Sequence, residues 1–322
     1  MTEDADVRSV LARAANAARF APSIHNTQPW RWIVFGDRLE LHRVTDRQLR
    51  FQDPDRHMLL ISCGTALHHA RIALTAEGRQ HRVERVGADP LAVVHPGERV
   101  AVDPAAIRHF EQLSVRHTDR RTVTGDAVTG DILDVLVKAA EQAGARLHVL
   151  GRDQVIELAV LVEQAQKAED ADELLRAEST TWVGGGRAAG TGIPDANLPA
   201  ELPPTTVAER DFGASGTLAA GSGHDTAATY ALLYGPGDEA VDWLRAGEAL
   251  SAVWLTASEH GVALLPLSGP VEVASTRHQL RRLLGGIGFP HMVMRLGTFD
   301  SARPVPARTP RLPTEQVVEI RD

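Results

Sequence analysis

Two short stretches of this chain carry more hydrogen-bonding and charge chemistry than an ordinary turn needs. Residues 21–30 read APSIHNTQPW. Pro22 ends a preceding helix, and Ser23, Asn26 and Gln28 place donors and acceptors in the turn that follows. Such side chains and their backbone can match a ligand edge that alternates donors and acceptors. Residues 116–122 read RHTDRRT. Here Arg116 and Arg120 supply guanidinium forks that pair with phosphate oxygens, while Thr118 adds a hydroxyl and His117 a ring nitrogen. Plainer readings exist for each stretch alone: a polar helix-to-strand turn, and a solvated basic turn before a helix.

The elements that position these stretches repeat. Residues 6–15 (DVRSVLARAA) recur at 131–140 (DILDVLVKAA), an offset of 125. Asp6, Val10, Leu11, Ala14 and Ala15 are identical in the second copy, and both copies are apolar at helical spacing behind an Asp suited to an N-cap. A strand-like run follows each, Trp30 to Gly36 and Arg146 to Gly151. At an offset of 183, Gly64, Ala66, Leu67 and Gly78 recur as Gly247, Ala249, Leu250 and Gly261. Both of these stretches read as long Ala-rich helices closed by glycine. The runs LAVVH at 91–95 and HMVMRLG at 291–297 then read as strands. The offset grows from 125 to 183, so the second copy carries about 58 extra residues, placed at about 165–240. Within it, residues 183–223 hold 13 Gly or Pro in 41 positions, against ~12% in average usage, which marks a lid or a linker. The neighbouring aromatics Trp182, Phe212, Tyr230 and Tyr234 favour a lid packed on something.

The A-P-S-x-x-N-x-Q-P-W segment resembles the FMN-binding segment of the nitroreductase family. Within that resemblance Arg116, His117, Thr118 and Arg120 match the segment that grips the ribityl phosphate, with Thr118 in place of the usual Ser. Residues 261–270 (GVALLPLSGP) resemble the strand and turn whose amides face flavin N5; Ser268 and Gly269 fall on the turn, where the family often has an acidic residue before the glycine. The tail ARTPRLP at 307–313 resembles a basic C-terminal segment that returns to the phosphate, with Arg311 matching best. The closest subgroup is the Acg type, in which two nitroreductase-like domains share one chain.

The resemblance implies an α+β fold, duplicated, each half a mostly antiparallel sheet flanked by helices, with residues 1–104 and 105–322 as the halves. A pseudo-twofold monomer would then mimic the family dimer. Family dimers build each flavin site from the turn of one subunit and the grip of the other. Here the first half has the turn but no preceding grip, and the second has the grip but reads EQAGARLHVLG where the turn belongs. One FMN per chain follows, with NAD(P)H as donor and a nitroarene or quinone as acceptor. Arg120 takes the place of the cation near flavin N1 and O2, and no acid–base side chain is required beyond the flavin. The alternative is a protein that stores FMN beneath its lid.

Bulk properties narrow the rest. Hydrophobic residues make up 43% and charged residues 24%, the balance of a globular protein with a large core. A formal net charge of −8 argues against a nucleic-acid partner, and the single Cys63 permits no internal disulfide. No signal-peptide pattern or membrane-length apolar run is present, so a cytoplasmic monomer is expected. Metal-ligand spacings are absent. Gly184, Gly186 and Ala189 fit a dinucleotide fingerprint only nominally, because a helix-like segment precedes them.

Overall fold

The first repeat lies in helix α1 (Thr2–Ala18), which buries Val10, Leu11, Ala14, Ala15 and Ala18 on one face. Strands β1 (Trp30–Val34) and β2 (Leu39–Arg43) follow, then α2 (His57–Ala76), β3 (Arg79–Arg85) and β4 (Ala92–Arg99). Helix α3 (Pro104–Val115) starts where Asp103 accepts from the Ala105 amide and Pro104 fits the first turn. Beyond it come α4 (Gly130–Gln142), β5 (Arg146–Val149), α5 (Arg152–Ala171), α6 (Glu173–Thr181), β6 (Thr229–Gly235) and α7 (Ala240–Glu259). The chain continues through β7 (Val262–Leu267), α8 (Gly269–Glu272), α9 (Ala274–Leu283), β8 (Phe289–Thr298), α10 (Thr314–Val317) and β9 (Val318–Ile320). This computed structural model describes residues 2–321 apart from 185, 186, 188, 189, 214, 215, 222, 223 and 299–304. Gly186 and Ala189 of the nominal fingerprint lie outside the described residues.

The fold is α+β with two sheets. One runs β3-β4-β2-β1-β9 and the other β7-β8-β6-β5. Apart from β9, the two sheets share the same order, and with α5, α6, α8 and α9 set aside they share the same helix–strand–strand–helix–strand–strand succession. Every ladder is antiparallel except β1 with β9, where Trp32 faces Val318. That last strand brings the end of the chain into the sheet of β1 to β4.

Helices α2 and α7 pack on each other between the sheets, with α1 against α2 and α4 against α7. Their closest approach is at two glycines. A Cβ on Gly64 would lie 2.0 Å from the Leu244 carbonyl oxygen, and one on Gly247 would lie 2.1 Å from that of Ile61. The contact is reciprocal at the repeat offset of 183, as an isologous interface requires. Gly64→Ala is therefore expected to push the helices apart and lower stability by roughly 2–3 kcal/mol, read from the urea midpoint.

The Gly/Pro-rich stretch lies in one long connection. It is the β5–β6 connection between Val149 and Thr229, and it begins with α5 and α6. Tyr230 therefore belongs to a core strand, 2% exposed, because TYALLYG is a buried β run and not lid.

Candidate functional site

A cavity of about 370 Å³ lies among the 21–28 turn, α2, the basic segment after α3, α7, the β7–α8 turn and the chain end. That volume is in the range of small-molecule sites. Pro22, Ser23, Asn26, Arg116, His117, Thr118, Arg120, Ser268, Gly269 and Arg311 all line it. Gln28 does not. Its buried side chain stands behind the wall, donating to Gly190 O (2.6 Å) and accepting from the Leu312 amide (2.9 Å).

The turn is held in an uncommon backbone state. His25, Asn26 and Gln28 have φ of 43°, 56° and 50°, left-handed values that cost of order 1–3 kcal/mol each and persist only where surroundings enforce them. Ser23 Oγ accepts from the Gln28 amide (2.9 Å), and Ser62 Oγ of α2 accepts from that of Ile24 (3.0 Å). The Asn26 amide donates to Gly192 O and Pro310 O, both at 3.0 Å. Asn26 and Gln28 thus staple the turn to the β5–β6 connection and to the chain end.

One end of the cavity is cationic. Arg116 and Arg311 both donate to Phe20 O, at 3.4 and 3.3 Å, and Arg19 lines the same end. The Arg116 guanidinium lies 4.4 Å from the ring centroid of Trp254 on α7. Thr118 forms a bridge with Leu264, which lays the basic segment along β7 toward Ser268 and Gly269. Burial pushes Arg116 down to about 9, helped by Arg311, and pushes Arg311 down to about 10, helped by Arg19. Among the described residues no carboxylate pairs with Arg19, Arg116 or Arg311, and their Nε atoms are buried without partners. A bound dianion would answer all three features. Arg121, by contrast, is committed to Asp119 at 2.6 Å.

The other end is a buried acid–base array. Arg120 donates to Asn197 O (3.1 Å), and burial lowers its pKa although Glu209 opposes the shift. Arg295 on β8 is shared by Glu209 (2.9 Å) and Asp225 (3.3 Å). Two carboxylates on one guanidinium in a dry site cannot both ionise cheaply. Burial first, and Asp225 beside it, raise Glu209 to about 7. A carboxyl raised on folding binds its proton more tightly in the native state. It carries no penalty below its ordinary pKa, and it erodes stability as pH climbs from there to about 7. Glu209→Gln is therefore expected to gain stability relative to the parent as pH rises from 5 to 8, by paired thermal melts.

The β5–β6 connection forms a strap along this side. Ile193, Ala208, Glu209, Arg210 and Phe212 line the cavity. The strap is fastened at several points. Glu178 accepts from the amides of Arg50, Phe51 and Gln52 at 2.6, 3.0 and 2.9 Å. Asn197 donates to Ala307 O at 2.5 Å. Arg210 pairs with Glu169 (3.2 Å) and Glu272 (2.6 Å). Sequence reasoning missed Arg19, His25, Glu209, Arg210 and Trp254. His25 sat within the recognised segment and Trp254 within the recognised helix, but Glu209 and Arg210 stand in an irregular stretch with no period to mark them.

The place related to the cavity by the 183-residue offset looks different. Glu248 corresponds to Thr65, Arg71 to Trp254 and Arg85 to Ser268. Glu248, 1% exposed, takes two bonds from Arg85 (2.6 and 3.0 Å) and one from Arg71 (2.6 Å). An ion-pair knot fills what is open on the other side. Among the described residues, no helix is long and apolar enough to cross a membrane, and no group of His, Cys, Asp or Glu could hold a metal ion.

A strapped, cation-ended cavity between two antiparallel-rich sheets is the arrangement this α+β fold defines. The chain is 36% identical to "Putative NAD(P)H nitroreductase Rv3131" of Mycobacterium tuberculosis, over 97% of this chain and 91% of that one. It is 29% identical to "Putative NAD(P)H nitroreductase acg" of the same organism, over 97% and 96%. The chain belongs to this nitroreductase family, which includes the Acg type. No family model matches it. The FMN-dependent nitroreductase NfnB from Mycobacterium smegmatis, crystallised with NADPH, is similar with a TM-score of 0.39 and 16% identity, over 66% of this chain and 97% of that one.

Proposed function

We propose that the cavity holds one FMN and that the protein is an NAD(P)H-dependent reductase of nitro compounds or quinones. The observation that carries this reading is the cluster of buried Arg116 and half-buried Arg19 and Arg311 at one end of a cavity of cofactor size, with no carboxylate partner among the described residues. Arg116, Arg311, His117 and Thr118 would hold the phosphate, Pro22, Ser23, Asn26 and the Ser268–Gly269 turn the ring, and Arg120 the N1/O2 side. Gln28 supports them by fixing the turn from behind. When bound, FMN supplies hydride transfer through N5. The protein's part is to orient the ring, exclude water and place positive charge where negative charge develops. The halves are residues 1–104 and 105–322, a duplication supported by the matching sheet orders and the reciprocal Gly64–Gly247 contact. The Glu248 knot supports a single flavin per chain.

A second reading rests on the strap, which is fastened along one side of the cavity by Glu178, Asn197 and Arg210. A strap that stays shut would make the protein an FMN holder. An anaerobic visible spectrum before and after NADPH or NADH tests both. A flavin band bleached by nucleotide supports the reductase. A band bleached only by dithionite supports the holder. No band after incubation with FMN would overturn the cofactor assignment.

A further inference from the structure

His25 lines the cavity and is 6% exposed, yet one of its ring nitrogens is bonded and the other is not. Its Nε2 lies 2.8 Å from Arg210 Nη1. A guanidinium only donates, so Nε2 accepts and the ring proton resides on Nδ1. Nδ1 is buried without a partner among the described residues. An unmet buried donor costs about 1–3 kcal/mol, and here it coincides with a left-handed backbone at φ 43°. Two independent costs at one cavity-lining residue mark a group kept for a ligand.

The surroundings say which part of a ligand. Arg210 is anchored by Glu169 and Glu272, so it can hold the imidazole in place. The same guanidinium would lie 3.3 Å from a Cβ on Gly269, so His25 stands beside the β7–α8 turn. Phe212 of the strap packs edge-on to the ring with centroids 5.2 Å apart. The charged groups facing the imidazole are Arg210 and Arg120, with Glu169 and Glu272 behind Arg210. Burial, then Arg210, then Arg120 hold its pKa well below the ordinary value, so it stays neutral at physiological pH.

We propose that His25, locked by Arg210 as the Nδ1–H tautomer, donates a hydrogen bond to an oxygen of the electron acceptor and selects acceptors that carry such an oxygen beside the reducible centre. Nitro groups and quinones have this feature. A donor held in that place would stabilise an oxygen on which negative charge grows during reduction. This rests on the reductase reading for its chemistry, but the contact itself is measurable without turnover.

The test uses ¹⁵N-labelled full-length protein and nitrobenzene as the probe. The His25 resonance is expected to show a neutral, Nδ1-protonated ring that shifts on nitrobenzene addition, and Arg210→Met is expected to mix the tautomers. In kinetics, His25→Gly tolerates the left-handed backbone and removes the ring with its donor. It is expected to keep its flavin content and its rate of reduction by nucleotide, and to raise KM for nitrobenzene at least tenfold. An Nε2-protonated or charged ring, or an unchanged KM at full flavin content, would overturn the proposal. If the protein holds no flavin, the reductase reading falls, while nitrobenzene titration of the flavin-free chain still decides the contact. No shift there counts against it.

Discussion

Arg116→Ala is expected to leave a folded protein that has lost most of its affinity for FMN. Charge-assisted hydrogen bonds contribute about 1.5–3 kcal/mol each, and a fork on a phosphate makes two. The expected loss is therefore roughly 3–4 kcal/mol, about 100- to 1,000-fold in Kd. Riboflavin isolates the cause, because it has the ring and no phosphate. Fluorescence titrations should show the parent binding riboflavin about as weakly as the variant binds FMN, with riboflavin affinity little changed by the substitution. Arg311→Ala should behave alike, since its guanidinium donates to the same Phe20 carbonyl. Arg116→Lys should recover only part of the loss, because it restores charge without the fork. Arg108→Ala is the control: it lies on exposed α3 and pairs with Glu259 at 2.8 Å, off the cavity wall. If all variants bind both flavins as the parent does, the cationic end is not a phosphate site.

The sequence exposed this end of the site because its chemistry is dense and local. Two arginines, a threonine and a histidine fall within five residues, from Arg116 to Arg120. The packed helices were legible for a different reason. Gly64 and Gly247 must be glycine where two backbones touch, and the match at an offset of 183 includes both. Strands β1, β5 and β8 followed from apolar runs ending in glycine, and β4 from the run LAVVH, although it continues through Pro96 and Gly97 to Arg99. The strap side stayed hidden because its chemistry is assembled from afar. His25, Glu169, Arg210 and Glu272 come from four separate elements, and no spacing links them. Gln28 illustrates the converse. Its position in the segment suggested a ligand contact, but an amide can satisfy backbone as well as cofactor, and here it meets Gly190 and Leu312. Strand β9 was equally unreadable, since three residues joining a distant edge in parallel leave no periodic trace.

Glu248→Thr places on α7 the residue that α2 has at the corresponding position, Thr65. It is expected to destabilise the protein by about 3 kcal/mol and still to leave one flavin per chain. The energetic part follows from the knot: removing a fully buried carboxylate strands Arg71 and Arg85, and breaking such pairs costs about 3–5 kcal/mol. The lower end applies because the arginine side chains are 32% and 21% exposed and can turn toward water. The stoichiometric part follows from what else a second site would need. Trp254 backs the guanidinium of Arg116 on the open side, whereas its counterpart Arg71 is itself a cation bonded to Glu248 and His81. Ser268 opens the β7–α8 turn, whereas its counterpart Arg85 fills space with a long side chain. Freeing two cations does not build a ring-binding turn, because the chain between α4 and β5 has none of the Pro-Ser-x-x-Asn chemistry. Urea unfolding and the flavin-to-protein absorbance ratio read the two parts separately. A ratio near two in Glu248→Thr would mean that Glu248 alone keeps a second site shut. A ratio near one with the expected loss of stability would mean that the knot holds the packed helices together and is not by itself what limits the chain to one flavin.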